Sequence, residues 1–410
     1  MSQNKTKLKS ILQFVFVFFL VCFGLFITYY GQEVRRYNTT ILAFNYSYGF
    51  ISRGLLGTLY LGLDAIIPKD ILNYTDAANI TFIATNVIMA CFFFLAIFVL
   101  YRTKDKYLNG AQNILLFFTL FFFSMYFSFR NMGRPDIYML FLTFIGIFLL
   151  ILGKMEWMIV PLSILNVMIH QGYVFMFYNI FMYPLIYKIF THTGKERKKY
   201  ILILGSSFLS VSALFLYFNF FSHIGGQETY DSIYAMAEKL GNEGEVYETL
   251  LTHEILGIDP WDQEWPQHIY NFIELPIYCL IMSPFIVLGV RLFKNIIRAT
   301  ESKADKIKYS LLPLCSATIL PCYILKIDFG RWIFAGLAYF VLVILVLYAL
   351  HDEVVTEAIE KMIHDIQERY SYAPLLLVYA VTMIPLHDIH INEVLRSISE
   401  WLDSYLHIIS

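Results

Sequence analysis

Four cations stand at the ends of apolar stretches, where their side chains could bind an anion. Arg130 and Arg134 lie in the sequence RNMGRPD, and Lys326 and Arg331 lie in KIDFGRW. Arginine presents a rigid fork of N–H donors that matches the oxygens of a phosphate or a carboxylate, and lysine supplies a compact positive charge. We therefore predict an anion-binding site made by these two segments, with Arg53 of the sequence YGFISRG closing it.

Carboxylates beside these cations allow a second interpretation, in which the cations have a purely structural role. Asp136 follows Arg134 closely, and Asp328 lies between Lys326 and Arg331. Charges near a membrane are commonly paired with a neighbour or extended towards water, so each cation could have a purely structural partner. In the anion-site hypothesis the same two carboxylates orient the arginines.

Two further side chains are candidate bases. His170, in the sequence HQG at the end of an apolar stretch, has an imidazole that could orient or deprotonate a hydroxyl group. Glu33 is an acidic residue close behind the first apolar stretch. Together with Asp136 these residues are the catalytic candidates. Alternatively, His170 is a structural residue that forms hydrogen bonds at a helix end.

Signature motifs of cofactor and metal enzymes are absent from the sequence. The five cysteines form no CxxC pair and have no spacing with histidine that would bind zinc. The sequence also has no Walker A motif, no GxSxG elbow, no HExxH helix and no Rossmann fingerprint. We therefore predict no metal site, leave any cofactor unknown and argue against an ATP-driven pump.

The composition indicates the environment in which these residues act. Of the 410 residues, 58% are hydrophobic and 15% are charged, and the mean hydropathy is +0.60. A soluble domain has about a quarter charged residues, so this chain is predicted to be dissolved in lipid. Its net charge of −2 excludes a generally basic nucleic-acid-binding protein. We expect the lipid bilayer as a partner and no nucleic acid.

Long apolar runs predict membrane-spanning helices, because lipid offers no partner to an unpaired backbone group. The predicted fold class is all-α, a single membrane-embedded domain over 1–410 with about 11 transmembrane helices and additional interfacial helices. The predicted spans are 11–30, 81–101, 111–129, 137–152, 158–170, 173–187, 200–220, 272–292, 309–325, 332–350 and 373–386.

Positive charge predicts the orientation of the helices. With the amino terminus in the cytoplasm, the cytoplasmic segments hold 20 of the chain's 30 Lys and Arg residues, in agreement with the positive-inside rule. The anion site and the carboxyl terminus then face the outside. The cytoplasmic segment 351–372 fits this rule less well, because it has six acidic residues against two basic ones.

Two external segments are long enough to have structure of their own. The first, 31–76, contains an apolar stretch at 48–68 that four glycines interrupt, and we interpret it as a re-entrant or interfacial helix. The second, 222–268, has ten acidic residues against the single Lys239. Its periodicity is compatible with an amphipathic helix that covers the cavity, although a run of charge is also typical of a solvated face.

In this plan the chain resembles bacterial polytopic proteins of cell-surface polysaccharide assembly, namely the GT-C class of lipid-linked-sugar glycosyltransferases and the similar O-antigen or capsule polymerases. The shared features are a long external loop with Glu33 behind the first helix, external turns such as RNMGRPD, and one large external loop late in the chain. The paired acidic residues that many GT-C enzymes have in the first loop are missing, since Val34 and two arginines follow Glu33.

The resemblance implies an enzyme of the bacterial plasma membrane that transfers or polymerises sugars carried on a polyprenyl phosphate, with other envelope-assembly proteins as further partners. In this hypothesis cations from distant helices meet in one outward-facing cavity and bind the phosphate, while His170 or Glu33 acts as the base. Two alternatives stay open. A transporter or flippase would use the same cations along a substrate path, and an accessory subunit would use its outer loops to bind partner proteins.

Overall fold

The computed structural model describes residues 33–103, 132–222, 226–242, 245–256, 275–325 and 329–370, and the single positions 19, 272, 373 and 377. These residues form helices and short connections, and none of them is in a β-strand. The predicted all-α class is therefore confirmed. The chain divides into two units, a first unit of Glu33–Phe92 and Asn131–Pro266 and a second unit of Met1–Gln32, Phe93–Arg130 and Gln267–Ser410.

The helices are numbered in chain order. Those that begin in the first unit are α1 (Arg36–Thr40), α2 (Gly54–Ile66), α3 (Tyr74–Thr103), α4 (Pro135–Leu152), α5 (Ile159–Ile169), α6 (Tyr173–Met176), α7 (Tyr178–Thr191), α8 (Gly194–Phe220), α9 (Gly226–Lys239) and α10 (Glu245–Leu256). Those of the second unit are α11 (Leu275–Ile281), α12 (Ser283–Ala299), α13 (Lys303–Ser316), α14 (Leu320–Leu325), α15 (Phe329–Ala349) and α16 (Glu353–Tyr370).

Five helices of the described ranges are long and apolar enough to cross a membrane, which is consistent with an integral membrane protein. They are the first part of α3 (Tyr74–Phe92), α4 (Pro135–Leu152), α8 (Gly194–Phe220), α13 together with α14 (Lys303–Ile324) and α15 (Phe329–Ala349). Helices α11 and α12 make a sixth if they are counted together, although a bend of 70° separates them. The predicted number of about 11 spans is not confirmed. The predicted spans 11–30, 111–129 and 373–386 lie outside the described residues, apart from positions 19, 373 and 377.

Two predicted spans are occupied by helices that are too short to cross a bilayer. Segment 158–170 contains α5, whose 11 residues rise about 16 Å against about 30 Å of hydrocarbon. Segment 173–187 is divided at Phe177 between α6 and α7. Most side chains of both segments are buried within the first unit, so protein and not lipid surrounds these apolar residues.

Helices α4, α5, α7 and α8 pack against one another as a bundle in the first unit. Ile147, Leu162 and Phe181 are among the buried side chains that fill its interior. Gly146 allows the Phe181 ring to approach the backbone of α4, because a Cβ atom at this position would collide with the ring. Helix α5 runs from the Glu156 end of the bundle to the His170 end.

Residues 36–71 pack together with 226–242 and 245–256 beside this bundle, and we call these residues the cap. Helices α9 and α10 pack against each other after a turn at Gly241, whose φ of +98° favours glycine. Thr39 Oγ1 donates a hydrogen bond to Leu240 O over 2.7 Å. The cap and the start of α3 share one apolar core, made by Ala43, Phe44, Ile51, Tyr60, Ile71, Ala77, Ile233, Ala237, Leu240, Leu251 and Ile255.

In the second unit, most side chains of α15 are buried. Helix α16 packs along α12, and Arg291 Nη2 donates to Asp365 Oδ2 over 2.8 Å. Because α12 also contains Lys294 and Arg298, the acidic helix α16 lies beside a basic helix.

Candidate functional site

Arg53 precedes α2 in a backbone conformation that side chains rarely adopt. Its φ is +62° and its ψ is 6°, in the left-handed region. A residue with a Cβ atom in this region costs about 1–2 kcal/mol, so surrounding contacts must maintain it. One such contact lies at the next residue, where the backbone of Gly54 fits so closely against the Tyr46 ring that any Cβ atom would collide with it.

The Arg53 side chain forms a buried ion pair with Glu254 of α10. Arg53 Nε donates to Glu254 Oε1 over 3.0 Å, and the two side chains are 13% and 3% exposed. This is the one ion pair of Arg53 within the described part of the chain, and it uses one of the five N–H donors of the guanidinium group. The two Nη groups provide a fork that matches the oxygens of a phosphate.

Gln171 connects this ion pair to the bundle. Its Nε2 donates to Glu254 Oε1 over 3.2 Å, and its Oε1 accepts a hydrogen bond from Ser52 Oγ. Gln171 lies in the turn between α5 and α6. The residues before α2, the HQG turn and α10 therefore meet at one place, which we call the Arg53 cluster and define as Ser52, Arg53, Gln171 and Glu254.

His170 lies next to this cluster and is 7% exposed. Its Nδ1 accepts a hydrogen bond from the backbone N–H of Gly172 over 2.8 Å. This contact engages Nδ1 as an acceptor within the turn, as expected for a hydrogen-bonded structural residue at a helix end. A role as base at Nδ1 requires His170 to release the Gly172 N–H first.

A second group of candidates lies where α1 and α4 begin. Glu33 is exposed, and its neighbour Val34 faces Gly133 of the RNMGRPD turn. Asn38 Nδ2 donates to Met132 O over 2.7 Å, which ties α1 to the same turn. The structure thus places the candidate base Glu33 beside the turn that contains the predicted phosphate ligand Arg134.

Arg134 is half-buried at the N-cap of α4, and Asp136 is 3% exposed in the first turn of that helix. A carboxylate in the first turn of a helix is stabilised by the positive end of the helix dipole. This position favours the structural interpretation of Asp136 over a catalytic one, although both residues have further contacts.

The other predicted cations are Arg331, Arg130 and Lys326. Arg331 is in the first turn of α15 in the second unit, with its Cζ atom 5.3 Å from the centroid of the neighbouring Trp332 ring. Arg130, Lys326 and Asp328 lie outside the described residues. The predicted meeting of Arg134 with Arg331 stays a prediction.

Glu254 is the residue of the Arg53 cluster that sequence reasoning misses. Segment 222–268 contains ten acidic residues, and Glu254 resembles an exposed charge like the others. A usable signal is its helical spacing, because Leu251, Glu254 and Ile255 share one face. Both apolar residues are buried, and a charged side chain on a buried face requires a partner.

A second charged cluster lies at the opposite end of α5. The carboxylate of Glu156, which is 1% exposed, accepts from Lys188 Nζ over 2.9 Å and from Tyr200 Oη over 2.8 Å, and it also pairs with Lys199. Burial alone would raise the pKa of Glu156, but the hydrogen bonds from Lys199, Lys188 and Tyr200 together outweigh it and hold the pKa below its usual value. We interpret this cluster as structural because each charge has a partner.

Chemically, the Arg53 cluster presents guanidinium N–H donors, which suit an anion, next to the carboxylate of Glu254. No three His, Cys, Asp or Glu side chains come together as a metal site anywhere in the part of the chain that the structure describes. A comparison of the chain with protein-family models, with curated proteins and with solved structures finds no match. The functional argument therefore rests on the site.

Proposed function

We propose that the chain transfers or polymerises sugars carried on a polyprenyl phosphate, at the outer face of a bacterial plasma membrane. The observation that carries this proposal is Arg53, whose strained backbone and partly buried guanidinium stand at the junction of the cap with an apolar helical bundle. An amphiphilic ligand suits such a junction, because its phosphate can meet a cation while its tail stays in lipid.

The proposed reaction needs a cation and a base. An acceptor hydroxyl forms a bond to the anomeric carbon of the lipid-linked sugar, the bond from that carbon to the phosphate oxygen breaks, and the phosphate leaves with the electron pair. Arg53 stabilises the charge that develops on the phosphate, which is the usual role of preorganised donors in transfer reactions. A base takes the hydroxyl proton. His170, which adjoins Gln171 of the Arg53 cluster, and Glu33, with its exposed carboxylate, are the two candidates for this role.

The direct experiment is turnover of a radiolabelled polyprenyl-linked sugar by purified protein in detergent. Arg53→Gln should lower the rate about a hundredfold, the loss expected for one transition-state donor. Lys69→Gln is the matched control, because Lys69 is also a cation of the first external segment paired with a carboxylate, Asp76, but is 67% exposed. Full activity in Arg53→Gln at normal expression would remove the assignment of the site.

One observation favours a transporter as the second candidate. Helices α11 and α12 form an apolar pair that is bent by 70°, and discontinuous helices are frequent at the substrate sites of transporters. Proteoliposomes separate the two functions. The enzyme hypothesis predicts formation of a glycan product without any gradient, whereas a transporter would move an amphiphilic phosphate tracer across the bilayer without changing it.

A further inference from the structure

We infer that the end of the first-unit bundle where α5 begins binds the headgroup of an anionic phospholipid. The binding surface, which we call the basic surface, consists of residues before α5 and in the first two turns of α8, namely Lys154, Met155, Trp157, Lys195, Arg197 and Lys198. The Arg53 cluster lies at the other end of α5, so this inference does not depend on the proposed function.

The basic surface has positive charge that the protein does not neutralise. Its four cations are exposed and form no ion pair within the described part of the chain. The two carboxylates nearby are already engaged, since Glu156 pairs with Lys188 and Lys199, and Glu196 pairs with Lys199. An anion from outside the chain is therefore the available partner for these cations.

The buried carboxylate of Glu156 fixes the two parts of the basic surface to each other. It pairs with Lys199 of α8 and accepts a hydrogen bond from Tyr200 Oη over 2.8 Å. Lys154 and Trp157 lie within two residues of Glu156, and the cations of α8 lie within four residues of Lys199. The charged cluster that we interpret as structural thus brings cations from two distant parts of the sequence to one surface.

The position of the basic surface along the bundle matches the headgroup level of a bilayer. Helix α4 ends at Leu152 and α8 begins at Gly194, and both helices are long and apolar enough to cross a membrane. Next to these ends, Met155 and Trp157 are 56% and 58% exposed. Tryptophan is enriched at this level of membrane proteins, because its ring is apolar while its N–H group stays near water.

The backbone also favours a ligand with an apolar part. Met155 has a φ of +51°, in the left-handed region that side chains rarely adopt, and this conformation presents a large apolar side chain to the outside. An anionic phospholipid suits both features of the surface. Its phosphate can contact the cations, and the upper part of its acyl chains can cover Met155 and Trp157. A zwitterionic phospholipid has a compensating positive charge and is attracted less.

Photo-cross-linking of the full chain in nanodiscs tests the inference at the site itself. The nanodiscs contain equal amounts of phosphatidylglycerol and phosphatidylcholine, and a trace of one of the two lipids has a diazirine at the start of an acyl chain. Mass spectrometry of peptides gives the yield at residues 153–157 for each probe. We expect the yield from phosphatidylglycerol to be about tenfold higher than that from phosphatidylcholine, given four cations at the surface.

Two double variants with the same change in charge test the role of the cations. Lys195→Gln with Lys198→Gln should lower the yield ratio about threefold or more, because it removes two of the four cations. Lys69→Gln with Lys239→Gln, two exposed positions of the cap, should leave the ratio unchanged. Arg53→Gln should leave it unchanged as well, which separates this site from the proposed phosphate site of the Arg53 cluster.

Four results would overturn the inference. A wild-type ratio of about one would show no preference for the anionic lipid, and the absence of cross-links from both probes would place residues 153–157 away from the bilayer. An unchanged ratio in Lys195→Gln with Lys198→Gln would exclude these cations as ligands. A ratio lost in Arg53→Gln would assign the lipid to the Arg53 cluster. The wild-type ratio does not depend on the folding of any variant.

Discussion

Arg53 combines a left-handed backbone with a buried ion pair, and each feature lowers stability unless the surroundings compensate for it. Glycine adopts this backbone without strain, so a purely structural N-cap would not need an arginine. The combination of strain with a charge that uses one of its five donors is typical of a ligand-binding residue. Arg53 is therefore the first residue to substitute in a test of the site.

The double variant Arg53→Gly with Glu254→Gln separates binding from stability. Glycine removes the backbone strain and glutamine removes the charge that Arg53 pairs with, so the free energy of unfolding should change by less than about 1 kcal/mol. Arg53→Gly alone should lose about 3 kcal/mol, because it removes the arginine from its ion pair with the buried Glu254 carboxylate. Thermal melts in detergent measure both. A double variant as unstable as the single one would identify the pair as structural.

Glu156 should determine the acid sensitivity of the first unit. Its pKa in the folded protein lies below the ordinary value of 4.5, so its stabilising contribution is present above about pH 4.5 and is lost as the pH falls through the lowered folded value. Glu156→Gln should cost about 3–5 kcal/mol at pH 7, because Lys188 then stays charged and buried without its partner.

The matched control for Glu156 is Glu196→Gln. Glu196 also pairs with Lys199, but it is 57% exposed, and exposed ion pairs contribute little to stability. Unfolding midpoints measured from pH 7 to pH 3 should therefore show a reduced pH dependence in Glu156→Gln and an unchanged one in Glu196→Gln. The same pH dependence in both variants would contradict the assignment to Glu156.

At the scale of helices, the glycines of α2 explain why segment 48–68 has the pattern of a broken span. The chain forms a regular helix there, and Gly57 allows it to lie directly on the backbone of Leu42 and Phe44, where a Cβ atom would collide with both carbonyl oxygens. One of the glycines that suggest interruption in the sequence, Gly57, therefore marks a close helix–backbone contact.

Two substitutions in α2 test this contact against simple helix propensity. Gly57→Ala should destabilise the protein by about 1–3 kcal/mol, because the methyl group overpacks a rigid backbone contact. Gly62→Ala, in open space on the same helix, should stabilise it by about 0.5–1 kcal/mol, because alanine is the better helix former. Equal effects of the two substitutions in thermal melts would argue against the close contact.

The cap should behave as one cooperative element, because both of its parts, 36–71 and 226–256, contribute to a single apolar core. Leu251→Ala removes a fully buried side chain from α10 and should destabilise the cap by about 2–5 kcal/mol. Hydrogen exchange should then accelerate at 41–52 and in α9 as well as in α10. Glu238→Ala, an exposed position of α9, should leave these rates unchanged. Acceleration confined to α10 would show that the segments open independently.

The length of an apolar run in the sequence predicts the long helices better than the short ones. Segments 137–152, 200–220 and 332–350 are found as helices that could cross a membrane, since sustained hydrophobicity over about 20 residues has few other causes. Segments 158–170 and 173–187 are equally apolar because they lie in the interior of the bundle, and composition alone does not distinguish a protein interior from lipid.

At the scale of the whole chain, the sequence points to single residues of the Arg53 cluster but does not predict all of its members. Charge at the ends of apolar runs points to Arg53 and His170, and the structure brings both residues to the HQG turn. Glu254 is more than 80 residues away from this turn in sequence, and its role depends on how α10 packs in the cap. Such a contact is a tertiary property that no local pattern encodes.

The central claim is that the Arg53 cluster recognises the phosphate of an amphiphile. Binding of polyprenyl phosphate and of the uncharged polyprenol to the full chain in nanodiscs, measured by native mass spectrometry, tests it directly. We predict that the wild type binds the phosphate at least tenfold more tightly than the alcohol, that Arg53→Gln loses this preference while it still binds the alcohol, and that Lys69→Gln retains it. Equal affinity of the wild type for both lipids, or an undiminished preference in Arg53→Gln, would contradict the claim.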